Sequence, residues 1–197
     1  PRNASRTYRG EVSLRQGLAL SLNAATVALS ERIGRGKVIQ MARRLGITSP
    51  LDSAPALALG VSGTTLIEMT NAYAVIANSG QAVAPHGIIE ITDAAGKLLY
   101  QREAGAPSPL LSTKVTGGMQ EMLGAVIGWG TGKKAGYPGA RGGKTGTSQE
   151  YRDAWFIGYD DSLVTGVWLG NDNASPMRGV AGGGAPAELW RTFMSGG

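Results

Sequence analysis

The chain has 197 residues and a mass of 20.3 kDa, the size of one ordinary domain. With no cysteine and one histidine, His86, it cannot hold disulfides, thiolate nucleophiles, Cys-ligated metal centres or an HExxH zinc site. The net charge of +5 is uneven: residues 1–50 hold nine Lys/Arg against two Glu, and residues 51–197 hold ten Lys/Arg against twelve Asp/Glu.

Residues 1–12 are polar and irregular. Ser13 is placed to cap a short helix with Leu14 and Leu18 on one face. A second helix follows Asn23, carries Val27, Ala28, Leu29 and Ile33, and stops at Gly34. A third covers 37–45, with Val38, Met41, Ala42 and Leu45 at helical spacing, and ends at Gly46. Pro50 and Pro55 hold the next stretch open. Thr65 with Glu68 predicts a capping box for a helix over 65–79, whose stripe is Leu66, Met69, Tyr73, Ile76 and Ala77 and whose stop is Gly80. Segments 87–92 and 97–101 flank Asp93-Ala94-Ala95-Gly96 and predict a β-hairpin. A helix is expected over 112–127, with Val115, Met119, Met122, Leu123 and Val126. The glycine-dense basic stretch 128–143 follows. Strands are expected over 143–149, 154–159 and 163–170, with a turn at Asp160-Asp161, and a closing helix over 187–194. Early helices and a small late antiparallel sheet make an α+β fold, with 1–197 forming a single domain. No run approaches 18 apolar residues, so no membrane-spanning helix is expected, and no charged-then-apolar leader opens the chain.

The basic first quarter raises nucleic acid or an anionic surface as a partner, against the plainer alternative of a solvated basic face. Lys37 to Thr48 looks like the front of a helix-turn-helix, but the segment that should form the recognition helix has two prolines and no donor-rich face. Gly130-Thr131-Gly132-Lys133-Lys134-Ala135 fits a dinucleotide-binding pattern in the wrong setting, and a flexible glycine loop is expected instead. Gly143-Lys144-Thr145 resembles the end of a phosphate-binding loop, whose first glycine is replaced by Pro138. His86, beside the hairpin with no evident partner, reads as structural or surface.

Two short motifs remain, Ser21-Leu22-Asn23 and Lys144-Thr145-Gly146-Thr147, and acyl transfer is the chemistry they could share. Ser21 sits at a helix junction where its hydroxyl can face a cleft, and Asn23 offers a donor and an acceptor. Lys144 is an ammonium flanked by glycine on an expected strand, uncrowded by neighbours. Thr145 and Thr147 lie two apart and so share a face, and Gly146 leaves the backbone open to close approach. The plain alternative has Ser21 and Asn23 capping a helix and Lys144 solvated.

Longer stretches carry a resemblance. VSLRQGLALSLNAATVALSERIG, LALGVSGTTLIEMTNAYAVIANSG, GGKTGTSQEYRDAWFIGYDDSLVTGVWLGND and PAELWRTFM resemble the later part of the transpeptidase domain of class A, bifunctional penicillin-binding proteins. The resemblance implies the serine β-lactamase-like transpeptidase fold, here partial. It implies a D,D-transpeptidase that crosslinks D-Ala-D-Ala stem peptides of peptidoglycan through a serine acyl-enzyme and binds β-lactams, with no cofactor and no metal. Ser21 would pass a proton to or from the leaving amine, Asn23 would contact the substrate amide, and Lys144 would supply charge and a hydrogen bond to Ser21. Thr145 and Thr147 would bind the terminal carboxylate beside Gly146, and the Thr147 N–H would form half the oxyanion hole. The family's nucleophile lies in Ser-x-x-Lys, and none of the 14 serines here has Lys three residues later. Thr131 with Lys134 has that spacing, in the glycine stretch.

The resemblance therefore also implies a nucleophile, two sheet strands, a glycosyltransferase domain and a membrane anchor upstream. The expected partners are that upstream half and the peptidoglycan peptide, not nucleic acid, at an extracytoplasmic address. The isolated chain is expected to be inactive, with an exposed sheet edge and an uncovered apolar face. A non-catalytic cell-wall peptide-binding module is the competing reading.

Overall fold

The computed structural model describes residue 3 and residues 7–103, 105–106 and 108–196. Ser13 caps α1 (Leu14–Ala19), and Gln16 answers it in a full capping box. Next come α2 (Asn23–Ile33) and α3 (Arg35–Arg44), separated by Gly34 at a φ of 97°, where a side chain would be strained. The residue flanking α2 is Leu22, which makes no side-chain cap, so neither Ser21 nor Asn23 caps this helix.

After α3 the chain runs through a short 3-10 turn at Pro55–Leu59, and no recognition helix follows. The arginines of α3 are engaged within the chain. Arg43 donates to the carbonyls of Ile47 at 2.7 Å and Ser49 at 2.8 Å, Arg44 donates to the carbonyl of Leu110 at 2.6 Å, and Arg35 pairs with Glu31 at 3.0 Å.

The capping box at Thr65 starts α4 (Leu66–Ala77) as its sequence predicts. The Glu68 carboxylate does more than close the box. It accepts from the N–H and hydroxyl of Thr48, of Ser49 and of Thr65, which ties the 48–49 loop to the start of α4. The Ser49 and Thr48 hydroxyls, then the Thr65 N–H, hold its pKa far below the ordinary carboxylate value. A depressed carboxylate stabilises the fold above its unfolded pKa, and that stability is lost as pH falls toward the folded value. Glu68→Gln is therefore expected to lower the melting temperature at pH 7, and the gap from wild type should begin to narrow as pH falls below about 4. Melts from pH 3 to pH 7 check this.

Strands β1 (Glu90–Thr92) and β2 (Leu98–Gln101) form the expected hairpin. Asp93 accepts the N–H groups of Ala95 and Lys97 across its turn. The hairpin is exposed along both strands, and His86 before it is exposed too, with Nδ1 3.0 Å from the carbonyl of Ala84.

Ser112 caps α5 (Thr113–Gly128). The sheet comprises β3 (Gly142–Thr147), β4 (Asp153–Tyr159) and β5 (Val164–Gly170), antiparallel in that order, followed by α6 (Ala185–Met194). Alternation along β4 splits the core. Phe156 packs with Trp190 and Ala187 of α6, its ring 5.2 Å from the indole, while Tyr159 packs with Ile76 of α4 and Leu123 of α5. Burying Phe156 alone contributes about 2 kcal/mol.

The glycine stretch is not the flexible loop that its composition implies. Its N–H groups bond inward, Thr131 to the carbonyl of Ala19 and Gly132 to that of Val126, each at 3.0 Å. A Cβ on Gly130 would lie 2.2 Å from the Ala19 oxygen. These glycines permit backbone to pack on backbone, a use that composition does not distinguish from flexibility.

Candidate active site

The α1–α2 junction is tight. Leu22 N–H reaches back to the carbonyl of Gly17 at 2.9 Å, which leaves Ser21 between them at a φ of 52°. Such a backbone is uncommon for a side-chain-bearing residue and is retained where surrounding structure imposes it. Asn23 follows as the first residue of α2.

Lys144 lies on β3, 123 residues away in sequence. Its Nζ donates to Ser21 Oγ at 2.9 Å and to the carbonyl of Thr145 at 2.9 Å. The side chain is not the uncrowded, solvated ammonium expected from its glycine neighbours. The residue is half-buried, and burial lowers its pKa from the ordinary 10.5 to about 8. In the window between these values the unfolded chain binds the extra proton, so stability rises with pH from about 8 to 10.5. If the Lys144 charge assists chemistry, the specificity constant should fall as pH rises through about 8, a limb that Lys144→Arg removes. A pH–rate profile of the full-length protein checks this.

Neighbouring residues of a strand point to opposite faces, so Lys144 turns toward Ser21 while Thr145 and Thr147 share the other face. Thr147 Oγ1 accepts the N–H of Gly182 at 3.0 Å, and Thr145 Oγ1 lies 2.7 Å from Thr131 Oγ1. Gly146 lies between them, where a Cβ would sit 3.1 Å from the Cβ of Trp155. Among the described residues no strand pairs with the other side of β3. Ser148 N–H bonds to the carbonyl of Asp153, so by alternation the N–H of Thr147 is directed away from β4, toward that open side. One strand edge thus presents an ammonium–hydroxyl pair, two threonine hydroxyls and an outward N–H.

All six residues singled out in the sequence, Ser21, Asn23, Lys144, Thr145, Gly146 and Thr147, fall on β3 or on the junction that faces it. Sequence reasoning missed the parts that support them. Gly182 is one: a Cβ there would lie 2.3 Å from the oxygen of Gly146 and 2.4 Å from that of Trp155. Thr131 is another. Its only apparent meaning in sequence was its spacing to Lys134, and the structure separates the two. Lys134 pairs with Glu188 of α6 at 2.8 Å while Thr131 faces Thr145. The repeated glycines at 130, 132 and 182–184 were the one available signal.

Residues 2–194 match the penicillin binding protein transpeptidase domain. The chain is 34% identical to penicillin-binding protein 1A of Neisseria meningitidis over 98% of its own length and 25% of that protein. It is 33% identical to penicillin-binding protein 1A of Aquifex aeolicus, over 98% and 27%. The chain therefore spans about a quarter of the length of these relatives. The crystal structure of penicillin-binding protein 1A from Haemophilus influenzae superposes with a TM-score of 0.90 at 26% identity, covering all of this chain and 36% of that one. PonA1 of Mycobacterium tuberculosis, solved in complex with penicillin V, gives 0.88 at 25% identity, covering 99% of this chain and 58% of that one. By these matches, and with an α+β fold of the expected kind, the chain belongs to the penicillin-binding protein transpeptidase domain family, among its class A members.

Proposed function

We propose that this chain contributes the proton-relay and carboxylate-binding parts of a peptidoglycan D,D-transpeptidase that acts through a serine acyl-enzyme on D-Ala-D-Ala stem peptides and is acylated by β-lactams. The observation that carries the reading is the 2.9 Å bond between Lys144 Nζ and Ser21 Oγ. In this reading Ser21 Oγ passes a proton to or from the leaving amine. Lys144 polarises that hydroxyl and, while protonated, attracts the substrate carboxylate. Asn23 meets the substrate amide, Thr145 and Thr147 bind the carboxylate, and the Thr147 N–H faces the developing oxyanion. Gly146 lets the substrate backbone approach β3.

The nucleophile comes from elsewhere in the same protein, since no serine here has lysine at the required spacing and the chain spans a quarter of its relatives' length. The same upstream half supplies strands for the outer side of β5, which pairs only with β4 among the described residues. It also covers apolar side chains now exposed, such as Ile67 of α4. Residues 1–197 are then an incomplete domain, inactive alone. Among the described residues no helix is long and apolar enough to cross a membrane. In this reading any anchor is upstream and the site works outside the cytoplasm.

Fluorescent penicillin tests the reading on the full-length protein. Labelling of wild type and its loss in Ser21→Ala support it. A folded full-length protein that takes no label, yet still binds D-Ala-D-Ala peptide, would instead be a cell-wall peptide-binding module.

A further inference from the structure

The two threonine hydroxyls on β3 are held alike. Each sits where its oxygen can accept from a neighbouring group, which leaves its own proton free to give. For Thr147 that donor is the N–H of Gly182 at 3.0 Å. For Thr145 the neighbour is the Thr131 hydroxyl at 2.7 Å, short enough for a good O–H···O bond. A hydroxyl has one proton to give, so the direction of this bond matters. If Thr145 donates to Thr131, its proton is spent. If Thr131 donates to Thr145, the Thr145 O–H is free for a carboxylate in the cleft.

Thr131 is itself fixed on three sides. Its N–H bonds to the carbonyl of Ala19 at 3.0 Å, two residues before Ser21. Gly130 before it abuts the same carbonyl so closely that no Cβ fits. Its own carbonyl lies against Gly183, where a Cβ would come within 2.4 Å. One residue therefore touches the Ser21 junction, β3 and the glycine run that also holds Thr147.

We propose that Thr131 is a positioning residue for carboxylate recognition: its hydroxyl donates to Thr145 Oγ1 and so aims the Thr145 O–H at the carboxylate of the stem peptide or β-lactam. A bound anion selects this direction because it accepts hydrogen bonds and cannot donate them. The inference rests on the transpeptidase reading above and assigns a part of that site.

The test compares acylation of the full-length protein by benzylpenicillin and by its methyl ester, which keeps the lactam and lacks the anion. Thr131→Val removes the donor and keeps the bulk, and Thr131→Ser restores the hydroxyl. The second-order rate with benzylpenicillin is expected to fall about fivefold in T131V, the worth of one ordinary hydrogen bond. The ester rate should stay within about twofold, and T131S should recover most of the loss, as a bond of that size predicts. Where T131V does not fold, T131A gives the same contrast. Equal slowing of acid and ester, or no slowing of either, overturns the inference while the transpeptidase reading stands. A wild type acylated by neither compound overturns both.

Discussion

Lys144→Ala is expected to slow acylation of the full-length protein by penicillin about 10²–10³-fold, the usual consequence of removing a preorganised donor from a charged transition state. Two losses combine. Ser21 Oγ loses the Nζ bond that holds it at 2.9 Å, and the cleft loses its positive charge. Stability separates this effect from unfolding. Burial lowers the Lys144 pKa to about 8, so at pH 7 the fold carries a charge that it holds less well than water does. Removing it should leave the melting temperature at or above that of wild type. Lys144→Met, which keeps the aliphatic volume, is the variant to melt. A fall in acylation together with early melting would point to a structural lysine.

Gly130→Ala is expected to be among the most damaging single-methyl changes at the described residues. The added carbon would lie 2.2 Å from the oxygen of Ala19 and 2.8 Å from Cα of Val126. Both obstacles are backbone, so no rotamer relieves them, and overpacking of this kind costs roughly 1–3 kcal/mol or more. Relief requires the 130–131 turn to part from the end of α1. That breaks the Thr131 to Ala19 bond and loosens the junction holding Ser21, so acylation should fall along with stability. Gly128→Ala is the control, since it lies in α5 with nothing within 4 Å of the added carbon. Alanine there, in the last turn of α5, should stabilise by up to about 0.5 kcal/mol through helix propensity. Thermal melts of the two variants, two residues apart, should move in opposite directions.

Much of the fold was legible because its signals are local. Ser13, Thr65 and Ser112 mark helix starts by side-chain bonds spanning three residues, and each is where the structure begins a helix. The Asp93–Gly96 turn and the alternating strands around Asp160 work at similarly short range. Boundaries slipped where no side-chain cap marks them: α3 starts at Arg35, ahead of the apolar spacing that begins at Val38, with the Gly34 carbonyl accepting from the N–H groups of Lys37 and Val38.

The site was legible in a different way. Nothing local brings Ser21 and Lys144 together, and only the resemblance to class A penicillin-binding proteins paired them. What sequence could not reveal was environment. Lys144 looked open between glycines, yet it is half-buried and its Nζ lies against Ser21, a residue 123 positions away. Thr131 and Gly182 carry no motif, because their meaning is a contact with residues 14 and 35 positions away. The arginines of α3 misled by composition. They looked like a nucleic-acid surface, and they serve carbonyls of this chain: Arg43 those of Ile47 and Ser49 just after the helix, Arg44 that of Leu110.

The central claim is that this chain completes an acyl-transfer site whose nucleophile lies outside it. Intact-mass spectrometry and peptide mapping of the full-length protein after incubation with penicillin test it most directly, with residues 1–197 alone treated in parallel. One penicillin on the full-length protein, mapped outside residues 1–197, together with no adduct on the isolated chain, is the predicted result. A penicillin covalently attached to any residue of this chain, Ser21 and Thr131 included, would contradict it.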